Sequence, residues 1–284
     1  MTPIRFRLVA ISLRSIHIYP VKSLRGCNLA HSDVEPWGLR HDRRWAVLRP
    51  DGSRLSARED RRMLSLGAAV LEDGGLRLMA RDGSTIDVKA PVGGELVPTS
   101  ISRLEVLRLA DASAHEWLSA QLSSPVRLGW LDDPARRPVS RAHGGLEGEP
   151  LSLADAGPLL LTSTASLRRL NEWMDQSPEH PDRPPQHAVM ARFRPNVVVD
   201  GSDEPFEEDG WAKVQIGEVR LRQAEKCDRC MMTLIDPDTL AQGKEPLRSL
   251  ARHRRHGGKT WFGIRLVPES IGRIEVGDPV IRLA

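Results

Sequence analysis

Residues 226–240, "KCDRCMMTLIDPDTL", hold two of the three cysteines in a chain of 284 residues, and what that pair binds decides what fold must be built around it. A CxxC pair admits three readings. It can be half of a structural zinc knuckle, a dithiol redox switch, or the seat of one thiolate that ligates a soft or high-valent metal, with Arg229 between the cysteines as an anion partner. A structural zinc takes four Cys or His ligands, and His253 and His256 are the candidates for the other two. They are closer to each other, and farther from Cys230, than the usual finger spacing. A thioredoxin-type dithiol sits at a helix N-terminus, whereas "MMTLIDPD" (231–238) reads as a strand and turn. The spacing by itself leaves all three readings open.

Three cysteines cannot build a disulfide framework, which suits a reducing, cytoplasmic compartment. Near the start, Arg5, Arg7 and Arg14 leave an uncharged run only from Leu8 to Leu13, too short for a signal-peptide core or a membrane span. An arginine-bearing amphipathic targeting peptide is the alternative there. The net charge of +3 comes from 41 basic and 38 acidic residues spread through the chain, which argues against a nucleic-acid partner. The densest basic run, "ARHRRH" (251–256), reads as a solvated helix face or loop, or else as a wall for an anion or a docking partner. No GxGxxG follows a strand and no P-loop is present, so nothing supports a nucleotide cofactor.

Short alternating segments separated by Gly turns predict antiparallel hairpins in the first half: "RWAVLRPDGSRLSAR" once, and "LEDGGLRLMARDGSTIDV" twice, at Gly74–Gly75 and Asp82–Gly83. "DASAHEWLSAQL" follows as a helix capped by Asp111. The Pro-, Gly- and charge-rich "LDDPARRPVSRAHGGLEGEP" places a boundary near Asp133, dividing residues 12–132 from 133–284. Beyond it, "GPLLLTSTASLRRLNEWM" runs from a buried strand into an amphipathic helix with Leu167, Leu170 and Met174 on one face. "DQSPEHPDRPPQH" is a surface excursion. "RPNVVVDG", "AKVQIGEVRLRQ" and "GRIEVGDPVIRLA" are strands, the last two with tight turns at Gly217–Glu218 and Gly277–Asp278. Many strands and few helices predict a mainly β protein with some α, its β-rich halves forming barrels with functional loops at their rims.

Here the residues acquire a family. "CDRCMMTLIDPDTLAQGKEPLRSL" resembles the signature of the molybdenum cofactor sulfurase C-terminal (MOSC) domain family, in the branch of the mitochondrial amidoxime reducing component. "IHIYPVKSLRGCNL", "GLRHDRRWAVL", "ARFRPNVVVDG" and "VGDPVIRL" are similar to further segments of that family, in its order, so the resemblance spans nearly the whole chain. It implies an N-terminal MOSC β-barrel domain (12–132) packed on a MOSC domain (133–284), with a Mo-molybdopterin cofactor in the cleft between them. Cys230 inherits the role of catalytic residue and metal ligand. Lys22, Ser23, Arg43, Arg194, Asn196, Asp228 and Arg229 inherit cofactor contacts.

An anionic oxo-metal centre and a pterin phosphate call for Lys and Arg donors, supplemented by hydroxyls and amides, and these residues are of that kind. The resemblance further implies a molybdenum-dependent oxidoreductase that reduces N-hydroxylated substrates such as amidoximes, hydroxamic acids and N-hydroxylated bases. Its electrons would come from a separate ferredoxin, cytochrome or flavin reductase. A non-catalytic carrier of the cofactor, or of sulfur on Cys230, is the alternative. Cys227 is expected beside the metal rather than on it, and Cys27 as a buried small apolar residue.

The chain also departs from the branch. Ala156 and Gly157 stand where relatives carry Thr-Ser, Arg265 where some carry Tyr, Leu240 in place of a Gly, and Asp228 in place of Ser or Gly. A carboxylate at 228 beside an anionic cofactor is tolerable only if it points at an arginine or uses its backbone N–H.

Overall fold

The computed structural model describes residues 10–176 and 187–283. Most of the arginine-bearing leader and most of the Pro-rich excursion lie outside the described residues. The chain is mainly β, with three α-helices among the described residues: Ala112–Leu122, Thr164–Asp175 and Leu247–Arg254.

The largest sheet runs Val280–Arg282, Lys213–Ile216, Val219–Asp228, Lys259–Pro268, Leu159–Ser163, Val197–Asp200, Ser12–Ile18 and Cys27–Leu29, with Arg255–His256 paired onto Lys259–Pro268. All pairings in it are antiparallel except Leu159–Ser163 with Val197–Asp200. A parallel pair needs a long crossover, and the helix Thr164–Asp175 lies in that connection. Ser163 starts this helix by accepting the Ser166 N–H on its hydroxyl at 3.1 Å.

The two ends of the sheet approach each other. Ser12 bridges Pro279, the Leu13 N–H donates to the Asp278 carbonyl at 2.9 Å, and the Val280 N–H donates to the Ile11 carbonyl at 2.8 Å. The sheet therefore curls round one core of Leu13, Ile16, Leu161, Val199, Leu221 and Ile264. Residues 12–39 supply strands to this sheet and its neighbour, although their chain position puts them before the boundary at 133. His31–Glu35 pairs with Gly272–Glu275, so "GRIEVGDPVIRLA" turns at Gly277 without pairing on itself.

The rest of the first half forms two open antiparallel sheets, Trp45–Leu48 with Arg127–Trp130, Val106–Leu109 and Leu96–Pro98, and Gly67–Val70 with Leu76–Met79 and Thr85–Val88. The mainly β class stands, but closed ladders do not form here. Strands of three or four residues run out of hydrogen-bonding groups before they can meet, and Arg54 returns to Leu48 only as an isolated bridge. Both "LEDGGLRLMARDGSTIDV" hairpins form. The core beneath them, built from Trp45, Met63, Leu76 and Leu118, takes in Ile235 from the far half of the chain, with Met232 and Leu240 packed on it.

"MMTLIDPD" is not a strand. Met231–Leu234 is a single 3-10 turn in which the Thr233 N–H and hydroxyl both donate to the Cys230 carbonyl. Asp236 then accepts the N–H groups of Asp238 and Thr239, closing an Asx turn. The need to deliver Ile235 into the first-half core overrides the β propensity of this run.

Candidate functional site

Two irregularities in the strand Val219–Asp228 carry it to the cysteine pair, with register shifts at Gln223/Glu225 and Lys226/Asp228. Bulges of this kind re-aim side chains. Within the second shift Cys227 is buried, 4% exposed, whereas Cys230 is exposed and its thiol caps no N–H of the turn that follows. The Arg229 Nη1–H donates to Cys227 Sγ at 2.8 Å and its Nη2–H to the Phe193 carbonyl at 2.7 Å, while its Nε–H is buried with no partner among the described residues.

Phe193 links this loop to the turn that bears Arg194 and Asn196. Arg194 lies 4.1 Å over one face of the Tyr19 ring, and Arg43 lies 4.6 Å from the same centroid. The Tyr19 hydroxyl donates to the Pro195 carbonyl, and burial pushes its pKa up to about 12 despite the two guanidiniums. Buried Asn196 accepts from Arg43 Nη1 at 3.1 Å and from the Leu160 N–H at 3.2 Å, so it pins Arg43 to the sheet. Asp42 pairs with Arg43 and takes the Tyr19 N–H at 2.8 Å. Arg194 donates Nη1–H to the Leu24 carbonyl at 2.8 Å, and burial lowers its pKa to about 10.

Lys22 is 7% exposed, donates to the Leu153 carbonyl at 2.7 Å and pairs with Asp155. The Lys22 ammonium holds the Asp155 carboxyl well below the usual range, while burial pulls Lys22 itself down to about 8. The Asp155 side chain is 58% exposed, so its ionised form is the well-solvated half of the pair. The loop that presents it is held by Arg137, a buried guanidinium hydrogen-bonded to the carbonyls of Ser102, Ser152 and Ala154.

Ser23, Arg43 and Arg194 all adopt left-handed backbone, at φ 71, 50 and 54°. Such geometry in residues with a Cβ persists only where the surroundings impose it, and it concentrates at functional sites. Arg43, Arg194 and Arg229 thus act on Tyr19, with Asn196 holding Arg43, whereas Lys22 is turned to Leu153 and Asp155 and Ser23 joins through its strained backbone alone. Tyr19, Asp42 and Asp155 escaped the sequence reading, although Tyr19 is the only tyrosine in the chain and immediately precedes Pro20–Ser23.

Asp228 turns away from this cluster. It accepts Arg265 Nη2–H at 2.8 Å, and Arg265 also pairs with Glu225, which meets His143 Nδ1 at 2.8 Å. Burial works against the Asp228 carboxylate, but Arg265 outweighs it and keeps the group ionised. The carboxylate points at an arginine, as a position beside an anion requires. Gly157 leaves room for that arginine, since a Cβ there would meet Arg265 Cβ at 3.0 Å.

Cys27 corrects an expectation. It is only half-buried and lines a cavity of about 650 Å³ with His17, Tyr19, Arg194 and Met232; its strand sits at the sheet's edge, where one face stays open. Burial still raises its thiol pKa. The zinc reading loses its partners: His253 stacks on Trp173 at 4.2 Å and His256 on Trp261 at 5.5 Å. Among the described residues no three His, Cys, Asp or Glu side chains converge into a metal site. No described helix is long and apolar enough to cross a membrane.

The MOSC domain family matches residues 148–281, and the MOSC N-terminal beta barrel domain matches residues 10–125. The chain is 30% identical to mitochondrial amidoxime-reducing component 1 of Homo sapiens, covering 96% of this chain and 83% of that protein. It is 31% identical to mitochondrial amidoxime reducing component 2 of the same species, with the same coverage. It is also 32% identical to molybdenum cofactor sulfurase of Oryza sativa subsp. japonica, over 92% of this chain but only 33% of that longer protein.

Proposed function

This chain belongs to the MOSC domain family, in the branch of the amidoxime-reducing components, and from that premise we propose that it is a molybdenum-cofactor reductase of N-hydroxylated compounds served by a separate electron donor. The observation that carries the reading is the exposed Cys230 thiol, which caps no turn, next in sequence to a buried Arg229 Nε–H that lacks a partner among the described residues. A buried, unpaired donor beside a free soft ligand is what a site for an anionic thiophilic group looks like before the group is bound.

The donor set fits a Mo-molybdopterin. Lys22, Arg43, Arg194 and Arg229 outnumber the carboxylates of Asp42 and Asp155 among them, and Arg194 and Arg229 bond no carboxylate among the described residues. When bound, the metal centre supplies acceptance of an oxygen atom coupled to two electrons. The chain's own residues do the rest. Cys230 would offer the single protein thiolate, Arg229, which holds Cys227, would donate to the anion, and Lys22, Ser23, Arg43, Arg194 and Asn196 would hold the phosphate-bearing end. Because Arg43 and Arg194 are preset over Tyr19, little side-chain entropy is lost on binding.

Protein made in a cofactor-competent host should carry about one molybdenum per chain and reduce benzamidoxime with dithionite as electron source. Cys230→Ala should lose metal and activity, and Cys227→Ala should keep most of both. Equal loss in the two variants, or zinc held by the pair, would sink the assignment. Metal retention without turnover would favour the carrier of cofactor or sulfur instead.

A further inference from the structure

The ladder between Val219–Asp228 and Lys259–Pro268 reaches Asp228 opposite Trp261, and one residue on, the Arg229 N–H donates to the Thr260 carbonyl at 2.8 Å. The chain leading to Cys230 therefore lies against one particular hairpin. In it Arg255 pairs with Thr260 and His256 with Lys259, turning through Gly257 and Gly258 at φ 60 and 75°. Arg255, His256 and Lys259 are exposed. Lys259 Nζ sits 5.6 Å over the half-buried Trp261 ring, His256 stacks on the same ring, and the indole N–H donates to the His256 carbonyl at 3.1 Å.

The base of the hairpin is firm. Arg254 pairs with Asp209 and lies 4.0 Å over Phe206, so it belongs to the interior and not to the exposed basic face. The nearby acids are engaged, Asp209 by Arg254 and Lys226, and Asp228 by Arg265. Among the described residues neither Arg255 nor Lys259 forms a carboxylate ion pair within 4 Å, although Lys259, after Arg265, helps keep Asp228 ionised. An exposed cationic rim around an aromatic ring has the composition of a protein-docking surface.

We propose that this hairpin, residues 255–261, docks a small acidic electron-carrier protein and so brings its redox centre beside Cys230. The proposal rests on the reductase reading above. Two reduced carriers would each give up one electron per turnover; with two protons the substrate N–O bond breaks, an N–H bond forms, and water leaves. A membrane surface would also attract cations, but the direct backbone link to the Cys230 loop favours a redox protein.

The test uses the full chain and a plant-type ferredoxin as the acidic one-electron donor. Arg255→Gln with Lys259→Gln should lower ferredoxin-driven kcat/KM for benzamidoxime about tenfold at low salt, with the gap closing as the screening length shrinks to about 10 Å at 0.1 M. Dithionite-driven turnover should be unchanged. Ferredoxin titrated onto cofactor-free protein should show a matching rise in Kd, a readout that does not depend on catalysis. Equal losses with both reductants, an unaltered ferredoxin dependence, ferredoxin that neither binds nor drives turnover, or loss of binding to anionic phosphatidylserine vesicles in place of ferredoxin binding would each overturn the proposal. Failure of dithionite-driven turnover in the unsubstituted protein would instead strike the reductase reading, while the binding titration still judges the docking surface.

Discussion

Lys22 is the residue whose ionisation should be felt first. Burial lowers its pKa to about 8, and only its protonated form attracts a pterin phosphate. Raising the pH through that value removes the charge, so molybdenum retention after desalting should fall between about pH 7 and 9.5, and Lys22→Arg should carry retention to higher pH because guanidinium stays protonated there. A retention curve identical in the two proteins would exclude Lys22 from the cofactor site. Gly157 and Arg265 allow a second test. A side chain at 157 meets Arg265 Cβ at 3.0 Å, so Gly157→Ser should cost about 1–3 kcal/mol, read as a lowered Tm. The cost should shrink in an Arg265→Gly background, which removes the Cβ it would meet, as a double-mutant cycle would reveal.

At the scale of elements, the helix Thr164–Asp175 begins on a buried carboxyl. Glu208 accepts the hydroxyls of Ser163 and Ser166, and burial raises its pKa. A carboxyl raised in the folded state favours folding most when protonated, and that contribution is lost as pH rises through the raised value. Glu208→Gln should therefore be close to the unsubstituted protein in stability near pH 4 and gain on it by neutral pH, by about 1–2 kcal/mol. Parallel denaturation curves at both pH values would show that the two serine bonds already offset the burial. The strand Val219–Asp228 shows why local pattern alone misplaces a site. Its alternation marks it as a strand, but the two register shifts that send Cys227 inward and leave Cys230 outside depend on its partner, Lys259–Pro268.

For the whole molecule, the two halves of the chain are not separable bodies. Leu13, Ile16, Ile18, Val34 and Leu39 sit in the core of the later sheet. At about 1.5–3 kcal/mol for each fully buried side chain, their loss would rival the stability of a typical domain. A fragment of residues 133–283 should therefore lack a cooperative unfolding transition and near-UV circular dichroism, and adding a peptide of residues 10–40 should restore part of both. A fragment that folds alone would show the N-terminal strands to be dispensable. Turn chemistry and alternation in the sequence determined the hairpins at Gly74 and Asp82, the helix after Ser163 and the mainly β class, because those signals act over a few residues; the helix Ala112–Leu122 forms without the side-chain cap expected of Asp111. The motif residues at 22, 23, 43, 194, 196, 229 and 230 were readable as donors and a thiolate. Only the tertiary structure decided that Arg43 and Arg194 share the Tyr19 ring, that Asp228 is satisfied by Arg265, that Asp155 faces Lys22, and that the loop after Cys230 is pinned through Ile235 to the first-half core. Each of those contacts joins residues from tens to nearly two hundred positions apart, and no local periodicity encodes a meeting that packing and charge pairing fix only after the chain has closed on itself.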